Sequence, residues 1–383
     1  MPRTSSSAGG CSARRPRLPE LRARLFAPAR DPLWGAIAAL FVSLLASFLA
    51  IAVSGRDAVA GFGDLLSGAF GGAGPLGETA IKGAVLILTG LSVAVAFTVG
   101  LFNIGAEGQL IWGGLAAAVV GQIDVPGAMF WSLAAAASAG GLWGLLAGWL
   151  KVRRGVHEVI STILLNWIAI HLVHGWLVPG PLGAAGSGAT ISVAGTEPIA
   201  AAARLPRLLP GSRLDLGFPL ALLAAAGVWW LLTRTCRGFE WRAVGAGRET
   251  ARASGIPATR RICEGMVLSG ALAGLGGALL ILGTEHKYPG VFRTGYGFDG
   301  IAVALVGGGT ALGTTAAAIV FGALRAGATR LQLVGIHPSF AELTQGLAVL
   351  LVAAPRMFVP LLARLRGRPA AAASDPPIPK VQP

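Results

Sequence analysis

Of the 383 residues, 54% are hydrophobic and only 13% are charged, and the mean hydropathy is +0.68. That is too apolar for a soluble domain of ordinary make-up, so much of the apolar surface must face lipid. A net charge of +14 brings nucleic acid to mind, but the basic residues sit between apolar runs and form no patch that a phosphate backbone could follow. The 57 Gly and 10 Trp residues suit helices that pack closely through small residues and anchor at interfaces through indoles. Cys11, Cys236 and Cys263 make neither a CxxC pair nor a metal-ligand spacing, so neither a disulfide framework nor a zinc site is indicated.

Residues 1–31, rich in Arg, Pro and Ser, read as a disordered basic cytosolic tail. The apolar run 33–53 is long enough to cross at 1.5 Å per residue and too long for a signal-peptide core, so it reads as an uncleaved first span. Further runs follow at 80–99, 102–121, 127–150, 158–178, 218–233, 262–284, 311–330 and 341–361. The run 298–308 is about half the crossing length and ends in Gly307-Gly308-Gly309, which predicts a half-span or re-entrant helix. The fold class is therefore all-α: a polytopic membrane bundle over 32–363 of about ten membrane segments, with a disordered cytosolic tail at 364–383.

Lys and Arg collect in the N-terminal tail, in Lys151-Val152-Arg153-Arg154, in the loop 234–261 and in Arg364, Arg366 and Arg368. Crossing parity puts all of these on one face, and the excess of basic residues makes that face cytosolic, with both termini on it. Segments 54–79 and 179–217 then lie outside, as surfaces for an extracytoplasmic partner.

Several segments carry candidate chemistry. Asn103-Ile104-Gly105-Ala106-Glu107-Gly108-Gln109 is set between two apolar runs. It reads either as an interrupted segment lining a polar cavity or as a turn joining two spans, since glycines flank Glu107 and polar groups at membrane depth are costly. Glu158, Ser161, Thr162 and Asn166 share one helical face that is too polar for lipid, and serve as interhelical hydrogen-bond glue or as pathway lining. Gly297-Phe298-Asp299-Gly300 opens the short run, with Asp299 positioned to cap it or to face a cavity. In 239–257, Arg248 to Ser254 has helical propensity, Gly255 suits a left-handed cap and Pro257 stops continuation. This predicts a short cytosolic helix that needs docking, because two turns do not hold alone in water. The small residues of Gly270 to Gly283 predict a close packing face. His171 and His174 lack a third ligand nearby in sequence, so they read as packing residues. There is no GxxxxGK[ST] loop, and no HExxH or GxSxG signature, so neither ATP binding in the P-loop manner nor hydrolase chemistry is indicated.

Four stretches together resemble a known family: Gly100-Leu-Phe-Asn-Ile-Gly-Ala-Glu-Gly-Gln109, Gly155-Val-His-Glu through Asn166, Gly238-Phe-Glu-Trp-Arg-Ala-Val-Gly245 through Ala251 to Gly255-Ile256, and Gly297-Phe-Asp-Gly through Leu305. Over roughly 33–361 the chain resembles the permeases of ABC importers in the ribose and branched-chain amino acid permease superfamily, in its nucleoside-uptake branch. Trp167 departs from a more usual Tyr, and Gly308-Gly309-Thr310-Ala311 from a more polar, Pro-containing stretch. The resemblance implies a transport subunit, not an enzyme, of the cytoplasmic membrane. Its implied partners are an ABC ATPase that uses ATP and Mg, a second related permease in a heterodimer (implied by the Gly155-Val-His-Glu signature), and an extracytoplasmic substrate-binding lipoprotein. It also implies that Gly245, Arg248, Glu249, Ala251, Arg252 and Gly255 belong to a coupling helix seated on the ATPase. No cofactor is expected on this chain itself. Asn103, Glu107, Gln109, Asn166 and Asp299 are the expected pathway groups, with Phe102 or Trp112 available to stack on a base. The rival readings are a sugar permease of the same class, an ion-coupled secondary transporter and a membrane-embedded enzyme; the last two would need an acidic relay or a catalytic constellation.

Overall fold

The computed structural model describes residues 57–333 other than 185–194, 210 and 293–294, together with isolated positions nearer the ends. The runs 33–53 and 341–361 fall almost wholly outside the described residues, and both tails do so entirely. The described residues form eleven α-helices and no strand beyond two isolated bridges. In chain order the helices are α1 (Ala58–Phe70), α2 (Ala73–Thr98), α3 (Ala106–Gly121), α4 (Ala128–Arg154), α5 (Glu158–Leu172), α6 (Gly217–Arg234), α7 (Cys236–Ala246), α8 (Arg248–Ala253), α9 (Ala258–Leu280), α10 (Tyr296–Val306) and α11 (Ala311–Leu333). Single π-helical turns extend α5 to Leu177 and α9 to Glu285.

Six helices among the described residues, α2, α4, α5, α6, α9 and α11, are long and apolar enough to cross a membrane. Two elements are too short to cross. The run 102–121 yields α3, of 16 residues and about 24 Å in length, because the chain turns at Gly100 (φ +76°) and stays non-helical to Gly105. The run 298–308 yields α10, of 11 residues and about 16 Å.

α2 and α9 form the centre, with α2 buried almost all round. Helices at the rim turn apolar side chains outward, as lipid requires: Phe130, Trp131, Leu142, Leu146 and Trp149 on α4, and Ile160, Leu164, Trp167 and Ile168 on α5 are exposed. Inward faces are built from small residues. On α4, Ala136, Gly140, Gly144 and Gly148 recur every fourth position, and on α9 Gly270 and Gly274 do the same after the larger Met266. A Cβ at Gly140 would run into the Gly270 carbonyl, and one at Gly270 into that of Gly140, so the two backbones touch directly. The expected packing face at Gly270 to Gly283 is therefore present, and it also receives α3, whose Leu110 carbonyl lies against Gly277. Gly83 of α2 and Gly322 of α11 meet in the same manner.

Candidate functional site

The polar residues expected in the bundle gather where α3 begins. After α2 ends at Thr98, the chain turns and runs back into the bundle as the non-helical segment 101–105. Backbone without helical partners inside a membrane protein must be satisfied by side chains, and Asn103 and Asn166 do this. The Asn103 Oδ1 accepts from Gly105 N (2.9 Å), while Nδ2 donates to Gln109 Oε1 (2.8 Å), Ser269 Oγ (2.8 Å) and Ser92 Oγ (3.3 Å). Gln109 Nε2 returns a bond to Asn103 Oδ1 at 3.2 Å. From α5, Asn166 Nδ2 donates to the Ile104 carbonyl and Oδ1 accepts from Gly108 N, both at 2.8 Å. Asn103, Gln109 and Asn166 are all buried. Each bond contributes on the order of 0.6 kcal/mol in a membrane protein; leaving a buried member unpaired would cost about 1–3 kcal/mol.

Glu107, in the first turn of α3, reaches α10. Its Oε1 accepts from Gly295 N at 3.0 Å and its Oε2 from Gly297 N at 2.7 Å. These are N-terminal amides that α10 cannot satisfy internally. The N-termini of α3 and α10 abut inside the bundle: a Cβ on Gly297 would meet the backbone of Ala106 and Glu107. Each helix end carries a partial positive charge of about half a unit, so the carboxylate also offsets the repulsion of the two.

Asp299 does not cap α10. Gly295 is the N-cap, and its φ of +69° lies in the left-handed region that glycine adopts without strain. Asp299, one turn in, forms an ion pair with Arg325 of α11, its Oδ2 2.8 Å from Arg325 Nε, with the two side chains 24% and 26% exposed. The Arg325 guanidinium carbon lies 4.1 Å from the centre of the Tyr296 ring, within cation–π range.

The face of α5 expected to turn inward does so: Ser161, Thr162 and Asn166 are buried. Ser161 and Thr162 hydroxyls donate to the Glu158 carbonyl of their own helix, so Asn166 alone of these makes a bond across helices. Glu158 pairs instead with Lys151 at 2.7 Å, across the turn at Gly155 (φ +68°). Phe102 packs on Phe97 and Trp112 on Trp143, at centroid distances of 5.0 and 5.1 Å. His171 stacks on Trp167, and His174 Nε2 lies 3.0 Å from the Tyr288 hydroxyl.

The loop 234–261 folds into α7 and α8, separated by extended Gly247. α8 spans Arg248–Ala253, Gly255 has φ +81° and Pro257 precedes α9, matching the expected start and stop. Ala251 is its one buried residue, while Glu249 and Arg252 form an exposed pair at 3.0 Å. α7 docks on the end of α2, with a Cβ on Gly245 running into the Thr98 carbonyl. Arg261 bonds Glu240 of α7 and, at 2.7 Å, Glu264 of α9, tying the loop to the central helix.

Sequence reasoning missed Ser92, Ser269, Tyr296 and Arg325. For Arg325 a signal existed, a cation set inside the apolar run 311–330, five residues before Arg330 at its end; for the serines none did, since Ser is common in packed membrane helices.

Residues 76–354 match the family described as branched-chain amino acid transport system / permease component. The chain is 40% identical to the guanosine ABC transporter permease protein NupP of Bacillus subtilis, over 82% of this chain and 91% of that one. Identity is 31% to the glucose ABC transporter permease protein TsgB13 of Haloferax volcanii (85% and 90%) and 32% to the nucleoside ABC transporter permease protein NupB of Lactococcus lactis (83% and 89%). No solved structure matches significantly. With a family match over most of its length and a bundle of apolar helices around a broken polar segment, the chain belongs to this family of ABC transporter permeases.

Proposed function

We propose that the chain is the permease subunit of an ATP-driven importer of nucleosides, forming the translocation path and receiving ATPase motion through α8. The observation that carries the solute class is the 40% identity to a guanosine permease along most of both chains. Two features of the geometry support a transport path: a helix pair, α3 and α10, that is too short to cross and begins inside the bundle, and a partly exposed ion pair between α10 and α11. Discontinuous helices with irregular backbone inside a membrane are tolerated where the backbone is buried in protein or lines a cavity.

In this reading α10 is the half-span, and the bundle holds about ten membrane segments once the two outer runs are counted. Both termini and the α7–α8 loop are cytosolic, and 54–79 and 179–217 face an extracytoplasmic binding lipoprotein. Gly245, Arg248, Glu249, Ala251, Arg252 and Gly255 belong to the coupling element. Support comes from the exposed outer face of α8 and from the contacts of α7 with α2 and α9, which give a push on α8 a rigid route into the centre. ATP and Mg act in the partner ATPase, and a second related permease completes a heterodimer. A sugar permease is the second reading, favoured by the 31% identity to TsgB13.

The test is ATP-dependent uptake of radiolabelled nucleosides, ribose and glucose into proteoliposomes holding the whole complex, with Gly245→Glu and the milder Glu249→Lys alongside wild type. The expected result is nucleoside uptake that needs ATP and falls in both variants while the subunits still co-purify. Uptake of sugar alone would move the assignment to the second reading, and ATP-independent uptake would overturn the coupling.

A further inference from the structure

Asn103, Gln109, Asn166 and Glu107 are buried and spend the bonds described above on one another and on backbone. The Asp299–Arg325 pair differs from them: about a quarter of each side chain reaches the surface of the bundle. Its depth follows from its elements. α10 starts against Glu107 inside the bundle, Asp299 is one turn further on, and Arg325 lies 14 positions after the first residue of α11, about 21 Å along a crossing helix. Charged groups at that depth cost several kcal/mol against hydrocarbon, and are found facing the bundle interior or a water-filled cavity, paired with one another. This face is therefore turned away from lipid.

The pair is also held in place. Arg325 Nε is fixed by the Asp299 carboxylate, its plane rests over Tyr296, and its carbonyl accepts from Lys82 Nζ of α2 at 3.1 Å. A guanidinium held by both a carboxylate and an aromatic ring is a pre-ordered planar donor, and the adjacent carboxylate is an acceptor. Together they carry no net charge, which suits a neutral solute with acceptors and donors along one edge. Arginine forks match the O6 and N7 acceptors of a guanine edge, whose neighbouring N–H groups suit a carboxylate; ribose offers no planar pair of acceptors.

We propose that Arg325, with Asp299 and Tyr296, is the solute-contacting and specificity-determining group of the path, selecting 6-oxopurine nucleosides over pyrimidine nucleosides and free sugars. This rests on the nucleoside reading above. The test measures initial uptake of guanosine, cytidine and ribose at limiting concentration in proteoliposomes with the whole complex, comparing wild type with Arg325→Lys, Arg325→Gln and Tyr296→Phe. Co-purification of all subunits verifies assembly. A bidentate contact discriminates by 1–3 kcal/mol, about 5- to 150-fold, so Arg325→Gln should lower the guanosine-to-cytidine uptake ratio by about 10-fold. Arg325→Lys, which keeps the charge and loses the fork, should lower it nearly as far and keep the complex assembled even if Arg325→Gln does not. Tyr296→Phe, which keeps the ring beneath the guanidinium and loses the hydroxyl, should lower the ratio by less than Arg325→Lys does. An equal fall for all solutes, or an unchanged ratio in Arg325→Lys, would overturn the proposal by making Arg325 a packing residue. A wild-type complex that carries no nucleoside would overturn it together with the reading beneath it.

Discussion

The starts of α3 and α10 share a pattern, Gly-Ala-Glu-Gly at 105–108 and Gly-Phe-Asp-Gly at 297–300, and they use the acid differently. Glu107 is buried and takes the amides of Gly295 and Gly297, so one half-helix caps the other. Asp299 reaches outward to Arg325 and stays partly exposed. The glycines that follow share one purpose, close approach: Gly108 lies against Asn166 of α5, and Gly300 against Thr89 of α2. The motif falls in different registers, since Gly105 is the N-cap of α3 whereas Gly297 is already the second residue of α10, and the role of the carboxylate is decided by that position and by what the rest of the bundle brings to it. At the bundle centre it meets orphan donors and becomes structural; nearer the rim it meets a cation and keeps about a quarter of its side chain exposed.

Breaking the buried side should have the largest effect on stability. Glu107→Ala leaves two buried amides unsatisfied, at about 1–3 kcal/mol each, and removes the charge between two helix N-termini. The purified complex in mild detergent should lose about 2–5 kcal/mol, read as a large drop in its thermal aggregation midpoint; an unchanged midpoint would mean that Glu107 does not clamp α10. Gly297→Ala keeps the carboxylate but forces a methyl into the Glu107 backbone, an overpacking cost of about 1–3 kcal/mol, and should give a smaller drop in the same assay. Asp299→Asn sharpens the contrast from the other side. The variant keeps a neutral acceptor beside Arg325, and about a quarter of both side chains is exposed, so its midpoint should fall by less than that of Glu107→Ala; a loss as large would erase the distinction between the two acids.

How much of this was legible in the sequence depended on how local the determinant was. Apolar runs mark α2, α4, α5, α6, α9 and α11 because lipid demands length and composition, both of which are local. The inward face of α5 was legible because Ser161, Thr162 and Asn166 alternate with Ile160, Ile163, Leu164 and Trp167, which fit lipid. The short helix α8 was legible from Gly255 and Pro257, whose backbone preferences act within two residues. The start of α3 was legible in part, since the glycines flanking Glu107 offered either an interruption or a turn over 103–109, while only tertiary contacts decide that 101–105 is the unwound stretch. The partners of the polar groups were not legible: Asn166 meets Gly108 58 positions away and Glu107 meets Gly297 190 positions away, and no spacing rule reaches that far. Asp299 illustrates the cost, as a cap was the sensible local expectation while its partner, Arg325, lies on the next helix.

The contact of α4 with α9 also limits how the bundle can move. Backbone touches backbone at Gly140 and Gly270, with Gly144 against the Met266 carbonyl and Gly274 against that of Ala136. With few side chains between them beyond Met266 and Val267, the helices behave like two combs whose teeth recur every fourth residue, about 6 Å along the axis. A small slide would drive carbonyls into Cα atoms, so the pair can pivot about its crossing or skip a whole tooth, and little else. Any graded motion of the transport cycle must therefore be taken up elsewhere, by elements such as α10 and α11 whose facing side chains can change rotamer.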